Sequence, residues 1–208
     1  MTRIAVLVSG GGTNLQALID RREQLGGELA LVVSSRADAH ALERARRAGI
    51  PAEVLEKQPG IGSAAYSALL CEKLERAGID LVVLAGFLVV LAPAFIEAFR
   101  NRILNVHPSL LPAFGGRGCY GLRVHEMALA RGVRVTGATV HFVNEETDGG
   151  PIVFQHCLPV LPSDTPETLQ RRVMEQAEWL LLPKAVRYFC TGRLSVEGNR
   201  VHIREEEQ

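Results

Sequence analysis

Apolar residues along this chain fall into short blocks with two rhythms. Residues 4–8 are continuously aliphatic and stop at Ser9-Gly10-Gly11-Gly12-Thr13, after which Leu15, Leu18 and Ile19 recur at helical spacing. That order is strand, glycine loop, helix. It repeats with the run 29–33 followed by a helical stretch at 41–48, and again with the run 81–84 followed by a short helix after Pro93. Strands that are apolar at every position have both faces covered, and strands alternating with helices pair in parallel. The pattern predicts an α/β fold with a doubly wound, mostly parallel, Rossmann-like sheet over residues 1 to about 106.

Beyond residue 107 the texture changes. A glycine-rich loop at 115–121 precedes a helix near 124–131, and the runs 133–143 and 152–160 flank Asp148-Gly149-Gly150. Two such runs around a polar turn predict an antiparallel pair. Thr165 and Pro166 read as N-cap and first residue of a long C-terminal helix that turns Leu169, Val173, Ala177, Leu180 and Leu181 inward. A bend is expected at Pro183, and an end before Gly192. The remainder, closing on Glu205-Glu206-Glu207-Gln208, reads as a short hairpin or a frayed tail.

Composition narrows the class. At 208 residues, with 47% hydrophobic and 22% charged residues, the chain is expected to form one globular domain with a core of its own. Lys plus Arg and Asp plus Glu both number 23, so no global field recruits nucleic acid and any anion site must be local. The longest apolar runs are broken by glycine, and Met1-Thr2-Arg3 leads straight into a strand without signal-peptide layout. A cytoplasmic protein without membrane contact is expected. Cys71, Cys119, Cys157 and Cys190 show no C-x-x-C spacing, so neither a zinc cage nor a redox pair is implied, and reduced, mostly buried thiols are expected. His40, His125, His156 and His202 have no partner pattern and read as surface or packing residues, leaving no metal set.

Four constellations carry chemistry. In Asn105-Val106-His107-Pro108-Ser109-Leu110-Leu111-Pro112, an amide and an imidazole stand two residues apart at the end of an apolar run, hence on one strand face. Together they can hydrogen-bond a carbonyl oxygen and stabilise the charge it gains under nucleophilic attack. Taken alone, the pair also reads as a turn cap and a core histidine. The glycine loop 9–13, between strand and helix, leaves backbone N–H groups free for an anion, although it lacks the Gly-Lys-Ser of a Walker loop and has Leu15 where a dinucleotide fingerprint has its third glycine. Asp148 at a hairpin tip reads as a turn residue, or, beside His107, as a carboxylate that favours the imidazolium. His141 lies in an alternating run before it and is expected to hold the Asp148 loop by a hydrogen bond. Glu175 and Glu178, three apart, are expected on one helical face, either solvated or lining a cleft.

The order Ser9-Gly-Gly-Gly-Thr-Asn14, Leu84-Ala-Gly-Phe-Leu88, NVHPSLLP, Thr139-Val-His-Phe-Val143 and Asp148-Gly-Gly-Pro151 resembles the folate-dependent phosphoribosylglycinamide formyltransferases, over residues 3 to about 192. The resemblance implies transfer of a formyl group from 10-formyltetrahydrofolate, as co-substrate, to the amine of glycinamide ribonucleotide in purine synthesis. It implies small-molecule partners only, no metal, no nucleic acid, and a monomer or homodimer. Within a single domain 1–208, residues 1–106 would bind the nucleotide phosphate, 107–192 would hold folate and catalysis, and 193–208 would be a tail. Asn105, His107 and Asp148 would be catalytic, with His141 and Ser109 in support. Gly11, Gly12, Thr13, Asn14, Glu175 and Glu178 would bind the ribonucleotide. The folate would meet Leu88, Val89, Val90, Leu91, Asn105, Asn144, Glu145, Thr147 and Ser63.

This chain departs from the family pattern in three places. Ser63 and Val89 stand where relatives often carry arginines toward the folate glutamate tail, and the loop 115–121 is longer and glycine-rich, with Arg117 as a substitute cation. Two related activities are alternatives. A 10-formyltetrahydrofolate hydrolase shares the Asn, His and Asp but is expected to carry an N-terminal regulatory domain, and a methionyl-tRNA formyltransferase needs a C-terminal RNA-binding domain. A non-catalytic folate or ribonucleotide sensor is a third, although binding alone does not require the trio.

Overall fold

The structure, a computed structural model, describes residues 1–204, so the expected frayed end at 205–208 lies outside the described residues. It divides into two compact units, Met1–Leu104 and Asn105–Gln208. The first holds β1 (Thr2–Val8), α1 (Thr13–Ile19), β2 (Gly27–Ser34), α2 (His40–Arg47), β3 (Ala52–Val54), α3 (Ser63–Arg76), β4 (Leu81–Leu84) and α4 (Pro93–Ala98). Its strands run in the order β3-β2-β1-β4, all parallel. The central strand β1 is wholly buried from Ile4 to Val8, as its unbroken aliphatic run requires.

Strand order places the first ligand-binding position. The chain steps from β1 to β2 to β3 in one direction, then returns to lay β4 on the other side of β1. Right-handed crossovers put the helices of the two directions on opposite faces. The loops leaving the C-terminal ends of β1 and β4 therefore diverge around a crevice, the switch point where open α/β sheets bind ligands. Those loops are 9–12 and 85–92.

The second unit holds β5 (Ile103–His107, entering it from Asn105), α5 (Leu122–Arg131), β6 (Val135–Phe142), β7 (Ile152–Pro159), α6 (Pro166–Val173), a π-helical turn (Met174–Glu178), α7 (Trp179–Cys190) and the hairpin β8 (Leu194–Glu197) with β9 (Arg200–Ile203). Strands β5, β6 and β7 are neighbours in that order, and β6 pairs antiparallel with β7. Thr165 caps α6 as expected: its side chain accepts the Thr168 N–H at 3.3 Å while Thr168 Oγ1 accepts the Thr165 N–H at 2.8 Å. The doubly wound α/β fold with an antiparallel portion and a long C-terminal helical segment is the one the hydrophobic pattern predicts.

The structure differs from the pattern in three respects. Strand β3 and helix α3 are not marked in the sequence: β3 has three partly or fully exposed residues, and α3 buries Ser67 while exposing Leu69, which blurs its period. Departure from α geometry falls on Met174–Glu178, upstream of Pro183, which lies inside α7. None of the four free cysteines is buried, and Cys157 is exposed on β7. Of the two readings for the C-terminal stretch, the short hairpin holds over residues 194–203. Among the described residues no helix is long and apolar enough to cross a membrane.

Gly12 has a structural duty separate from any ligand. It sits at φ +71°, and a Cβ there would meet Ala41 Cβ of α2 at 2.6 Å, whereas one on Gly11 would meet nothing within 4 Å. Gly12→Val should therefore destabilise the protein by about 2–4 kcal/mol in urea unfolding, from left-handed strain plus overpacking, while Gly11→Ala stays within about 0.5 kcal/mol of the parent. Equal stability of Gly12→Val and Gly11→Ala would contradict this packing.

Candidate active site

In the first unit the glycine loop is tied back onto α2 by its carbonyls. Gly10 O accepts the Ala41 N–H at 3.1 Å, and Gly11 O accepts Arg44 Nε at 2.8 Å, with Arg44 also donating to Gln16 Oε1 at 3.0 Å. In a planar trans peptide the N–H points opposite to the carbonyl. The N–H groups of Gly11 and Gly12 thus turn away from α2, in a loop where side-chain space beside Gly10 and Gly11 is open. Thr13 and Asn14 follow as the first residues of α1, with Asn14 buried. This is a backbone cradle suited to an anion. In the other loop of the crevice, Leu88 and Val90 are 58% and 60% exposed, Val89 is half-buried and Leu91 is buried. Exposed aliphatic side chains beside a crevice suit a flat apolar ligand. Ser63 opens α3 and accepts Lys57 Nζ at 3.1 Å, so a cation stands where the sequence has none.

In the second unit four side chains come together. Asn105 and His107 share one face of β5, and His141 comes from β6 and Asp148 from the β6–β7 connection. His141 Nδ1–H donates to Phe142 O at 2.9 Å, which leaves Nε2 to accept from Asn105 Nδ2 at 3.1 Å. Burial pushes the His141 pKa down, and with it the ring is neutral in this tautomer. Asn105 keeps its second amide N–H. The sequence expectation that His141 bonds the Asp148 loop is replaced by this bond to Asn105, with Asp148 Oδ1 3.8 Å away.

His107 is 4% exposed and faces oxygen at both ring nitrogens. Nε2–H donates to Phe114 O at 2.9 Å, and Nδ1 lies 3.6 Å from Asp148 Oδ2, an ion-pair separation beyond hydrogen-bond length. Asp148 Oδ2 also accepts the Gly116 N–H at 2.8 Å. Both residues that supply these oxygens, Phe114 (φ 54°) and Asp148 (φ 58°), hold left-handed backbone. Aspartate tolerates that region, but for phenylalanine it is an outlier of the kind that persists where surrounding structure imposes it. Gly150 explains the shape of the Asp148 turn: a Cβ there would lie 1.9 Å from Phe142 O.

A buried polar brace supports the turn after His107. Thr139 Oγ1–H donates to Ser109 O at 2.7 Å and accepts the Leu111 N–H at 3.0 Å, and Gln155 Nε2 donates to Leu111 O at 2.9 Å. Ser109 Oγ–H donates to Ala113 O at 2.5 Å, next to the strained Phe114. Thr139 and Gly116 enter the sequence reading only as parts of a motif and a loop, with no role, and Gln155 and Phe114 do not enter it. For Thr139 a signal existed, since it alternates with His141 on β6. For the backbone groups of Phe114 and Gly116 none did.

The remaining expected residues are placed differently. Asn144 forms the loop start, accepting the Glu146 N–H at 3.0 Å, while Glu145 and Thr147 are exposed. Glu175 and Glu178 do not share one face, because they lie on the π turn, whose wider winding breaks the i,i+3 alignment. Glu178 is buried and Glu175 exposed. Among the described residues no group of three or more His, Cys, Asp or Glu side chains is placed to hold a metal ion.

His125 on α5 is fully buried, and its ring nitrogens find no hydrogen-bond partner among the described residues. Burial first, and the nearby His107 second, lower its pKa to about 4. A histidine depressed in the fold binds its proton more readily when unfolded, so stability is lost as pH falls from the unfolded pKa toward the folded one. Between pH 7 and pH 4, wild type should lose about 3 kcal/mol more unfolding free energy than His125→Leu, measured by urea titration. Parallel losses in the two proteins would contradict a neutral buried His125.

Known proteins are similar to this chain in sequence and fold. The family model described as formyl transferase matches residues 2–186. Phosphoribosylglycinamide formyltransferase of Haemophilus influenzae is 39% identical over 98% of this chain and 94% of its own length. The crystal structure of glycinamide ribonucleotide transformylase 1 from Symbiobacterium toebii superposes with a TM-score of 0.92 at 48% identity, covering 99% of this chain and 95% of that one. A formyltetrahydrofolate deformylase from Pseudomonas syringae superposes with a TM-score of 0.89 at 26% identity, covering 98% of this chain and 66% of that one. The chain belongs to the formyl transferase family.

Proposed function

We propose that the protein transfers the formyl group of 10-formyltetrahydrofolate to the amine of glycinamide ribonucleotide, giving formylglycinamide ribonucleotide and tetrahydrofolate in purine synthesis. The observation that carries this reading is the group of Asn105, His107, His141 and Asp148 in the second unit. It supplies an amide donor of fixed orientation and an imidazole with a carboxylate beside it. The relatives' names supply the substrates.

The chemistry follows from those groups. The substrate amine attacks the formyl carbon, a C–N bond forms, and the carbonyl oxygen gains negative charge. The second N–H of Asn105 donates to that oxygen. His107 Nε2–H exchanges its contact with Phe114 O for the same oxygen, while Asp148 beside Nδ1 stabilises the protonated ring. Each such donor is worth roughly 3 kcal/mol of transition-state stabilisation. Collapse of the tetrahedral intermediate breaks the bond to N10, which takes up a proton as the amine, assisted by the His107 and Asp148 pair, gives one up. His141 and Ser109 act through others, the first by fixing the Asn105 amide and the second by bracing the turn to Phe114.

For binding, the outward N–H groups of Gly11 and Gly12, with Thr13 and Asn14, receive the ribonucleotide phosphate. The buried Glu178 is assigned to its sugar and glycinamide end. Folate contacts are assigned to Leu88, Val89, Val90 and Leu91 and to Asn144, Glu145 and Thr147, with Ser63 and its Lys57 neighbour toward the glutamate tail. The chain acts in the cytoplasm as a monomer or homodimer and uses no metal.

The deformylase likeness favours one second reading, in which water accepts the formyl group. Purified protein incubated with 10-formyltetrahydrofolate, with and without glycinamide ribonucleotide, separates the two by absorbance of the deformylated folate. Release that requires the ribonucleotide, with formylglycinamide ribonucleotide as product, is expected. Equal release without it would replace the transferase by a hydrolase.

A further inference from the structure

The Ser9 hydroxyl joins the two loops of the β1/β4 crevice. Ser9 ends β1 and begins the glycine loop, and it is 5% exposed. Its Oγ accepts the Leu88 N–H at 2.9 Å and lies 2.6 Å from Ser35 Oγ, just past the end of β2. A hydroxyl has one donor and two acceptor positions, so a single Oγ can serve both contacts. Three chain segments far apart in sequence meet on it.

The two loops are anchored separately. The glycine loop is held by Ala41 and Arg44 of α2, whereas the segment after β4 is held at its ends by Ala85 N–H to Leu7 O and Ala92 N–H to Ser67 Oγ, and exposes Leu88 and Val90 between them. The Ser9 contact ties the middle of that segment, at the Leu88 amide, to the glycine loop. We propose that Ser9 is a positioning residue that couples the two substrate sites: a phosphate seated on the Gly11 and Gly12 N–H groups fixes Ser9, which fixes the Leu88 amide and so the apolar surface offered to the folate. This rests on the assignment of the ribonucleotide phosphate to the glycine loop and of folate to residues 88–91. A ligand shifts another site only through a difference it makes to a shared element, and the shift is equal in both directions. Here the shared element is one hydrogen bond.

The test is a binding cycle by calorimetry, using glycinamide ribonucleotide and 5,8-dideazafolate, which has no formyl group to transfer, each titrated alone and onto protein saturated with the other. Wild type is expected to bind each ligand about fivefold tighter in the presence of the other, within the usual range of site coupling. Ser9→Ala should reduce that factor to about one, leaving each ligand's affinity alone within about threefold. Ser35→Ala, which keeps the bond from Leu88, should retain the coupling. Hydrogen exchange gives a second readout: the ribonucleotide should slow exchange of the Leu88 amide in wild type and not in Ser9→Ala. If Ser9→Ala does not fold, Ser9→Cys, with a weak sulfur acceptor of similar size, is read the same way. Undiminished coupling in the Ser9 variant, equal loss in Ser35→Ala, or no coupling in wild type would overturn the proposal. Failure of wild type to bind the ribonucleotide at all would instead overturn the function it rests on.

Discussion

The buried imidazole of His107 has an oxygen at each ring nitrogen, and much of the second unit is arranged to supply the two. One partner is a backbone carbonyl, Phe114 O, and the other a carboxylate, Asp148. Neither lies near His107 in sequence by a regular element. Each is delivered by a residue in left-handed backbone, and each turn is held in place from outside: Thr139, Gln155 and Ser109 brace the first, and the close approach of Gly150 to Phe142 shapes the second. Strain of about 1–3 kcal/mol per outlier persists only where packing over-determines it. The glycine-rich loop 115–121 gains a purpose from this, since its Gly116 N–H orients the same carboxylate.

Burial holds two of the histidines neutral. His141 is held neutral, so that its Nε2 accepts from Asn105 and turns the other amide N–H free. His125, deeper still, is neutral over the physiological range. His107 has the Asp148 carboxylate 3.6 Å from one nitrogen and a carbonyl on the other, whereas His141, 3.8 Å from the same carboxylate, gives its Nε2 to Asn105. Three imidazoles in one unit thus have three separate duties, set by what each nitrogen faces.

Most of the first unit was legible because the run 4–8 of β1, β4 and the run 29–33 of β2 are apolar throughout and its glycine loop falls where a strand ends, whereas β3, with Glu53 in three residues, carries no such run. Asn105 and His107 could be placed together by the two-residue repeat of a strand, and Asp148 by the glycines behind it. What could not be read were interactions made by backbone atoms. Phe114 contributes only a carbonyl, Gly116 only an N–H, and no residue type announces either. Helix α3 hid because apolar residues occupy its exposed face as well. Glu175 and Glu178 were set on one face by α-helical spacing, and the π turn separates them. Ser9 was visible as part of a motif, but its hydroxyl's contact with Leu88 depends on the strand order.

The central claim is that Asp148 acts through its charge on His107, and Asp148→Asn isolates that charge. Asparagine keeps the side-chain shape, tolerates the left-handed backbone and can still accept the Gly116 N–H. Steady-state kinetics of formyl transfer, with ribonucleotide affinity measured by calorimetry, should show kcat lowered by roughly two to four orders of magnitude and affinity changed by less than about threefold. Unchanged kcat in a folded Asp148→Asn protein would contradict the account.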